Sequence, residues 1–245
     1  MEPALASLDI TVLLAGTLIF TVGSIAIYAV GDHEGAFGAH TLTHVAVPMI
    51  AASAYLAMAL GIGTLMHDGR PLFAARYADW AFTTPLLLAG LIMIGLHEHT
   101  RNWGLLVLVL VLDALMIVTG FFSAWAEGSA KWAWYAWSCG LFAAVLLLMW
   151  GPVRSAARAG GGRLAEIYGT NLVWLTAAWL IYPVVFAFGP EGTGAIPLTT
   201  TLAIILVLDV VAKVVYGIST SLRLKALSQR KRAQSEREDG RRAAA

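Results

Sequence analysis

Seven long apolar segments constrain this chain more than any other feature of its sequence. They lie at about residues 8–30, 40–64, 74–96, 103–125, 132–152, 167–188 and 199–222. Each is long enough for an α-helix to cross the hydrocarbon core of a bilayer, which takes about 20 residues. With 59% hydrophobic and only 13% charged residues, the chain has too few polar side chains to cover a water-soluble domain. We therefore predict an all-α membrane protein, with a seven-transmembrane-helix bundle at 1–222 and a tail at 223–245.

Basic residues are concentrated at one end of the predicted bundle. They are Arg154, Arg158 and Arg163 after the fifth segment and, in the tail, Arg223, Lys225, Arg230, Lys231, Arg232, Arg237, Arg241 and Arg242. Since cytoplasmic loops carry the excess of Lys and Arg, we expect the C-terminus in the cytoplasm and the N-terminus outside. The tail also carries Glu236, Glu238 and Asp239, which favours a solvated, disordered segment over a nucleic-acid- or lipid-binding patch.

The last apolar segment, TTTLAIILVLDVVAKVVYGISTSL at 199–222, contains Asp209 and Lys213 near its middle. Residues four apart share one face of a helix. Ionisable groups at bilayer depth are costly, and they commonly mark functional sites. Two interpretations are open for this pair. It is either a structural ion pair that joins two helices, or Lys213 forms a Schiff base with a carbonyl cofactor and Asp209 is the counter-ion.

The third segment, AARYADWAFTTPLLLAGLIMIGL at 74–96, places Arg76, Asp79, Thr83 and Gly90 on one helical face. A buried carboxylate with an arginine one turn outward and a hydroxyl one turn inward is typical of a site that accepts a proton. Asp79 can also simply pair with Arg76, but that pairing gives Thr83 no role.

Three motifs at their spacing resemble one protein family. RYADWAFTTPLLL, WLIYPVV and LDVVAK begin at residues 76, 179 and 208. Together they are similar to the microbial (type 1) rhodopsin family, bacteriorhodopsin-like proton pumps in particular, over all seven segments. The resemblance implies a bundle around all-trans retinal, bound covalently to Lys213 as a Schiff base. It also implies a multi-pass protein of the bacterial cytoplasmic (inner) membrane, with the lipid bilayer as surroundings, no nucleic-acid partner, and a homo-oligomer (trimer or pentamer).

The resemblance implies roles for charged and polar residues. Asp79 matches the proton acceptor and primary counter-ion, and Asp209 matches the second counter-ion. Arg76 matches the gate on the extracellular side, and Thr83 matches the hydroxyl that hydrogen-bonds the acceptor. In the fourth segment, Asp113 matches a buried, mainly structural aspartate. Its hydrogen-bond partner in this chain is expected to be Thr84.

The same resemblance implies the walls of the retinal pocket. The matching residues are Tyr55, Tyr77, Trp80, Thr84, Asp113, Phe142, Trp179, Tyr182 and Phe186.

The chain departs from the family pattern at the cytoplasmic proton donor. Gly90 stands where the donor carboxylate is expected, so the triplet Asp79, Thr83 and Gly90 resembles the Asp-Thr-Gly bacterial branch. Glycine has no proton to give, and another group must supply one. His44 occupies the position that faces the missing donor, and histidine changes charge near neutral pH. We expect His44 to be a substitute donor or relay, with a hydrogen-bonded structural histidine as the alternative.

A second departure lies on the outer side. Glu191 matches one of two proton-release glutamates, whereas Thr201 occupies the position of the other. The release pair is therefore incomplete, and we expect late or different proton release.

These residues narrow the function to two possibilities. Asp79 argues against a chloride pump, the triplet differs from that of sodium pumps, and Asp209 argues against an inward proton pump. The first possibility is a light-driven outward proton pump, an ion transporter and not an enzyme. The second is a photosensor that signals to a transducer partner, since slow return of the proton suits a long-lived signal. The chain shows no transducer domain, which favours the pump. A seven-helix receptor without retinal would require three ionisable residues to match by chance.

Overall fold

The computed structural model describes residues 5–33, 35–67, 69–96 and 103–243. Within them, seven helical stretches are long and apolar enough to cross a membrane. They are Ser7–Val30, Gly38–Ala59, Ala74–Gly95, Trp103–Trp125, Gly128–Gly160, Gly162–Phe188 and Leu198–Arg242. The predicted seven-helix bundle is confirmed.

Several of these stretches contain more than one element. In chain order the elements are α1 (Ser7–Val30), α2 (Gly38–Ala59), β1 (Thr64–His67), β2 (Arg70–Phe73), α3 (Ala74–Gly95), α4 (Trp103–Trp125), α5 (Gly128–Leu148), α6 (Arg154–Gly160), α7 (Gly162–Trp179), α8 (Ile181–Phe188), α9 (Leu198–Asp209) and α10 (Tyr216–Ala243). Two π-helical segments, Met149–Val153 and Val210–Val215, connect α5 to α6 and α9 to α10.

Helices that follow each other in sequence pack side by side. Helix α1 contacts α2, α2 contacts α3, α3 contacts α4 and α4 contacts α5, while α9 returns to contact α1. Helix α3 also contacts α7, so its inner face lies at the centre of the bundle.

Side chains are distributed as a lipid environment requires. Large apolar residues such as Leu18, Leu147 and Val207 are exposed on the outside of the bundle. The ionisable residues Asp79 and Lys213 are buried within it. A water-soluble protein shows the reverse, because exposed apolar surface is costly in water and buried charge is costly everywhere.

The π-helical segment Val210–Val215 contains Lys213. A π-helical turn adds a residue to the helical repeat, and such turns occur frequently at functional sites. The other segment, Met149–Val153, contains Pro152. Here the hydroxyl of Tyr168 donates a hydrogen bond to the main-chain oxygen of Met149, at 2.6 Å. That bond partly replaces the main-chain hydrogen bonding that is disrupted where Pro152 interrupts the helix inside the membrane.

A short β-hairpin is an exception to the all-α prediction. Helix α2 ends at Ala59, before the predicted end of the second segment at residue 64. Gly61 and Gly63 then adopt positive φ angles of 73° and 69°, a conformation that favours glycine and ends the helix. Strands β1 and β2 pair antiparallel and lead directly into α3.

The tail also differs from the prediction. Its composition predicts disorder at 223–245, whereas α10 continues as a helix to Ala243 and is exposed at 229–242. The residue types explain the difference, since Arg, Lys, Gln, Glu and Ala all have high helix propensity. The tail extends a helix that is already formed, so no new helix has to be nucleated.

Candidate functional site

An ion pair at the centre of the bundle links the two segments that the sequence singled out. Lys213 Nζ donates a hydrogen bond to Asp79 Oδ2 at 2.5 Å, and it lies 3.5 Å from Asp209 Oδ1. All three side chains are at most 2% exposed. One buried ammonium therefore faces two carboxylates, one from α3 and one from the turn before it in its own helix.

The two carboxylates differ in what else holds them. Asp209 accepts hydrogen bonds from the hydroxyl of Tyr55, at 3.0 Å, and from that of Tyr182, at 2.8 Å. Asp79 Oδ1 has no hydrogen-bond partner among the residues that the structure describes. Asp209 is thus held by two further donors, whereas one oxygen of Asp79 is left without a protein partner among the described residues.

Thr83 lies one turn from Asp79 on the same face of α3. Its hydroxyl donates to the main-chain oxygen of Asp79, at 2.9 Å. The resemblance implied a hydrogen bond to the acceptor residue, and this bond reaches its backbone. Thr83 is completely buried, and it therefore fills the space beside the carboxylate.

Arg76 points away from Asp79. Its Nη1 lies 3.4 Å from Glu191 Oε1, and its guanidinium stands 5.0 Å from the ring centroid of Phe73. The simple Arg76–Asp79 pair considered from the sequence is therefore not the arrangement found. Arg76 instead pairs with the segment between α8 and α9.

That segment is held by two further cations. Lys131 Nζ donates to the main-chain oxygen of Glu191, at 2.8 Å, and Arg70 Nη1 donates to that of Pro190, at 2.6 Å. Thr201, which occupies the second release position, is completely buried, and its hydroxyl has no hydrogen-bond partner within the described residues. Glu191 is consequently the one carboxylate of the predicted release pair, and the cations Arg76, Lys131 and Arg70 contact it or the residue before it.

An elongated cavity begins at Lys213 and runs between α3, α4, α5 and α8. Its lining includes the predicted side chains Tyr77, Trp80, Thr84, Phe142, Trp179, Tyr182 and Phe186. Trp80 meets Tyr182 edge to face, with ring centroids 5.5 Å apart. Most of the exposed lining is apolar, and its charged residues are Arg76, Glu191, Asp209 and Lys213. A buried amine at the end of an aromatic cavity fits a long conjugated aldehyde such as retinal.

Asp113 lies beside this cavity and joins two helices. The hydroxyl of Thr84 on α3 donates to Asp113 Oδ2 on α4, at 2.7 Å, and this is the bond implied by the resemblance. Asp113 is completely buried and does not contact the central ion pair. The geometry agrees with a structural link.

His44 lies on the other side of Lys213 from Arg76. A Cβ atom placed on Gly90 would be 3.8 Å from His44 Nε2, so the imidazole does face the position of the missing carboxylate. One placed on Gly217 would be 3.7 Å from His44 Cβ. The histidine is 1% exposed and sits between these two glycines.

Sequence reasoning missed several residues of the cavity. Helix α5 contributes Tyr135, Ser138 and Cys139 in addition to Phe142, and α4 contributes Met116 and Gly120. The α5 residues occur at spacings of three, one and three, which is the pattern of a single helical face. That periodicity was the available signal. Phe186 stacks on Tyr135, with ring centroids 5.4 Å apart.

The chain is similar to known proteins in both sequence and fold. The family model described as "Bacteriorhodopsin-like protein" matches residues 3–225. Archaerhodopsin-1 of Halorubrum ezzemoulense is 37% identical over 210 residues, which cover 84% of this chain and 77% of that protein. Sensory rhodopsin-2 of Haloarcula vallismortis is 35% identical over 181 residues, which cover 71% and 72%. The crystal structure of the light-driven proton pump Coccomyxa subellipsoidea rhodopsin matches with a TM-score of 0.82 and 30% identity, over 89% of this chain and 97% of that one.

The family match spans nearly the whole chain. The chain belongs to the bacteriorhodopsin-like family of microbial rhodopsins.

Proposed function

We propose that this chain is a light-driven outward proton pump that carries all-trans retinal on Lys213. The family binds retinal, and it includes transporters and photoreceptors. The observation that supports a pump best is the direct contact of Lys213 Nζ with Asp79 Oδ2, at 2.5 Å, with Arg76 and Glu191 beyond it. Of the two carboxylates near Nζ, Asp79 accepts the hydrogen bond, while Asp209 Oδ1 lies farther away, at 3.5 Å.

The residues of the central cavity fit the cofactor. Lys213 Nζ would hold retinal covalently, and Trp80, Trp179 and Phe186 would enclose its chain and exclude water. Retinal supplies a light-driven change of shape next to Nζ. The remaining steps belong to groups of the protein.

The first step moves a proton from Lys213 Nζ to Asp79 Oδ2. Asp79 becomes neutral, and the nitrogen loses its positive charge. Asp209 keeps the hydrogen bonds that Tyr55 and Tyr182 donate to it. The negative charge one helical turn from Arg76 is then lost, which changes the electrostatic surroundings of the Arg76–Glu191 pair. Glu191 is the candidate group for release to the outside.

The return step needs a proton from the opposite side. Gly90 supplies none, and His44 is the nearest titratable side chain to it on that side. We propose that the imidazolium of His44 gives its proton towards Lys213 Nζ and is left neutral. His40, one turn before His44 on α2, and Tyr216, whose ring packs on the imidazole, are the other titratable groups near it.

The direction of transport follows from charge. His44 lies near the end of the bundle that carries Arg154, Arg158 and the basic tail. Basic loops stay in the cytoplasm, so protons leave towards the outside. We place the chain in a bacterial cytoplasmic membrane with the N-terminus outside. A homo-oligomer, trimer or pentamer, is proposed from family resemblance alone.

A photosensor is the second candidate, and Gly90 is the observation that favours it. Without a donor carboxylate the proton returns slowly, and a slow return prolongs a signalling state. Sensory rhodopsin-2 is among the relatives.

Light-induced pH change in an unbuffered suspension of cells separates these functions. The cells express the protein with retinal and are measured with and without a protonophore. We expect acidification in light that the protonophore abolishes. Alkalinisation would show inward transport and contradict the proposal. A coloured protein without any pH signal would favour the sensor.

A further inference from the structure

A second group of buried polar side chains lies on the cytoplasmic side of Lys213. It consists of Asn171 on α7 with Tyr216 and Thr220 on α10, and we call it the cytoplasmic polar cluster. Their exposed fractions are 3%, 1% and 0%. None of them belongs to the central ion pair or to the cavity. Polar side chains inside a membrane bundle are costly, so this cluster requires an explanation.

The cluster is connected internally and touches His44. Asn171 Nδ2 donates to Thr220 Oγ1, at 3.0 Å. The hydroxyl of Tyr216 lies next to both side chains. The Tyr216 ring also packs edge to face on the imidazole of His44, with ring centroids 5.7 Å apart. One tyrosine therefore bridges the candidate donor and the Asn171–Thr220 pair.

Several polar atoms at this junction are available for proton transfer. His44 Nδ1, His44 Nε2 and the Tyr216 hydroxyl oxygen have no hydrogen-bond partner among the described residues. A buried polar atom without a partner costs free energy comparable to a lost hydrogen bond. Buried polar atoms without a protein partner are sites at which a bridging water can bind.

The cluster also leads towards the cytoplasmic surface. Thr220 lies one helical turn beyond Tyr216, about 6 Å along the axis. Arg223, which is only partly buried, follows it and acts electrostatically on Tyr216. Along the chain, the cluster thus lies between Lys213 and the residues with which the basic tail begins.

We propose that Tyr216, Asn171 and Thr220 form the uptake path through which His44 regains its proton from the cytoplasm. This inference rests on the proposed function. The neutral imidazole accepts a proton from the Tyr216 hydroxyl side, and the hydroxyl accepts one in turn from Thr220 or water. One proton enters at the surface for each proton that His44 gives up, so the path is left unchanged.

A purely structural role is the alternative. The Asn171–Thr220 bond joins α7 to α10, and such a bond stabilises a helix pair without carrying protons. The two roles differ in what Tyr216→Phe does. This variant removes one oxygen and keeps the ring, so packing on His44 is retained.

The test is flash photolysis of the retinal-loaded protein, in which the return of the proton to Lys213 is followed by absorption. We expect Tyr216→Phe and Thr220→Val each to slow this return about tenfold. Sodium azide, a small weak acid that carries protons, should restore the rate. Ser221→Ala is the matched control, since Ser221 is a buried hydroxyl on the neighbouring face of α10 and should leave the rate unchanged.

A second readout needs neither light nor retinal. Exchange of the His44 imidazole protons with water, measured by NMR in the retinal-free protein, should slow in Tyr216→Phe and stay unchanged in Ser221→Ala. Unchanged kinetics in both cluster variants, slowing that azide does not restore, or equal slowing in Ser221→Ala would each overturn the uptake path. Failure of the pump itself appears separately, as wild-type cells that produce no acidification in light.

Discussion

The two halves of the bundle, on either side of Lys213, are built from different chemistry. In the proposed orientation the extracellular half is ionic, since Asp79 pairs with Lys213 and Arg76 pairs with Glu191. The cytoplasmic half is polar and has no carboxylate at residue 90. The two imidazole nitrogens of His44 and the hydroxyl oxygen of Tyr216 have no hydrogen-bond partner among the described residues. In the proposed pump, a proton leaving Nζ meets a preformed acceptor, whereas a returning proton passes imidazole, hydroxyl and amide groups. Departure and return of the proton would then be controlled by different residues.

The largest change follows from removing the group that both halves share. Lys213→Ala leaves Asp79 and Asp209 facing each other without a cation, and loss of one partner of a buried ion pair costs about 3–5 kcal/mol. We expect a colourless protein with a lower melting temperature, measured by absorption after addition of retinal and by thermal unfolding.

Lys131→Met is the control for Lys213→Ala, because Lys131 holds the main chain of Glu191 and does not line the cavity. It should keep its colour. A normal visible band in Lys213→Ala would remove the basis of the proposed function.

The ionic half can be disrupted without changing the residues on the other side of Lys213. Asp79→Asn keeps the shape of the side chain but leaves Nζ without its proton acceptor, so transport should fall at least about 100-fold. Colour should remain and shift, because the charge beside Nζ is gone. Light-induced acidification and absorption spectra test both effects.

Asp113→Asn provides a matched control, since Asp113 is an equally buried aspartate whose partner is Thr84. Transport should persist in this variant. If Asp79→Asn pumps as well as Asp113→Asn does, Asp79 is not the acceptor.

The ionic half was also the more predictable one. Charged residues in apolar segments stand out in a sequence, so helical spacing alone places Asp79 beside Arg76 and Thr83, and Lys213 beside Asp209. The spacing does not show that Asp79 pairs with Lys213 and not with Arg76, because that pairing depends on how α3 packs against the last helix. Arg76 pairs with Glu191, which is distant in sequence.

The cytoplasmic half left weaker signals. Asn171, Tyr216 and Thr220 are uncharged residues within apolar segments, and their meeting depends on the rotation of α7 against α10. The two strands, Thr64–His67 and Arg70–Phe73, and the helical tail were not predicted from the sequence for a different reason. Short strands and exposed helix ends are decided by local backbone preferences that an apolar pattern does not record.

The cytoplasmic half can be broken at His44. His44→Ala removes the candidate donor, and the return of the proton to Lys213 should slow about tenfold and depend less on cytoplasmic pH. His33→Ala, an exposed histidine in the connection between α1 and α2, is the control and should behave like the wild type. Decay kinetics by flash photolysis over a range of pH decide the matter. Identical decay in the two variants would return His44 to a structural role.

The smallest expected effect comes from making the two halves alike. Gly90→Asp adds a carboxylate where a Cβ atom has room, 3.8 Å from His44 Nε2. We expect the return of the proton to accelerate a few-fold, because a second group can then donate at the same level of the bundle. Gly90→Ala is the control for the added volume, since it adds the same Cβ without a proton to donate. It should leave the rate unchanged. Acceleration in Gly90→Ala would mean that packing around His44, not the supply of protons, sets the rate. No change in either variant would place the slow step closer to the surface, where the path through Tyr216 and Thr220 begins.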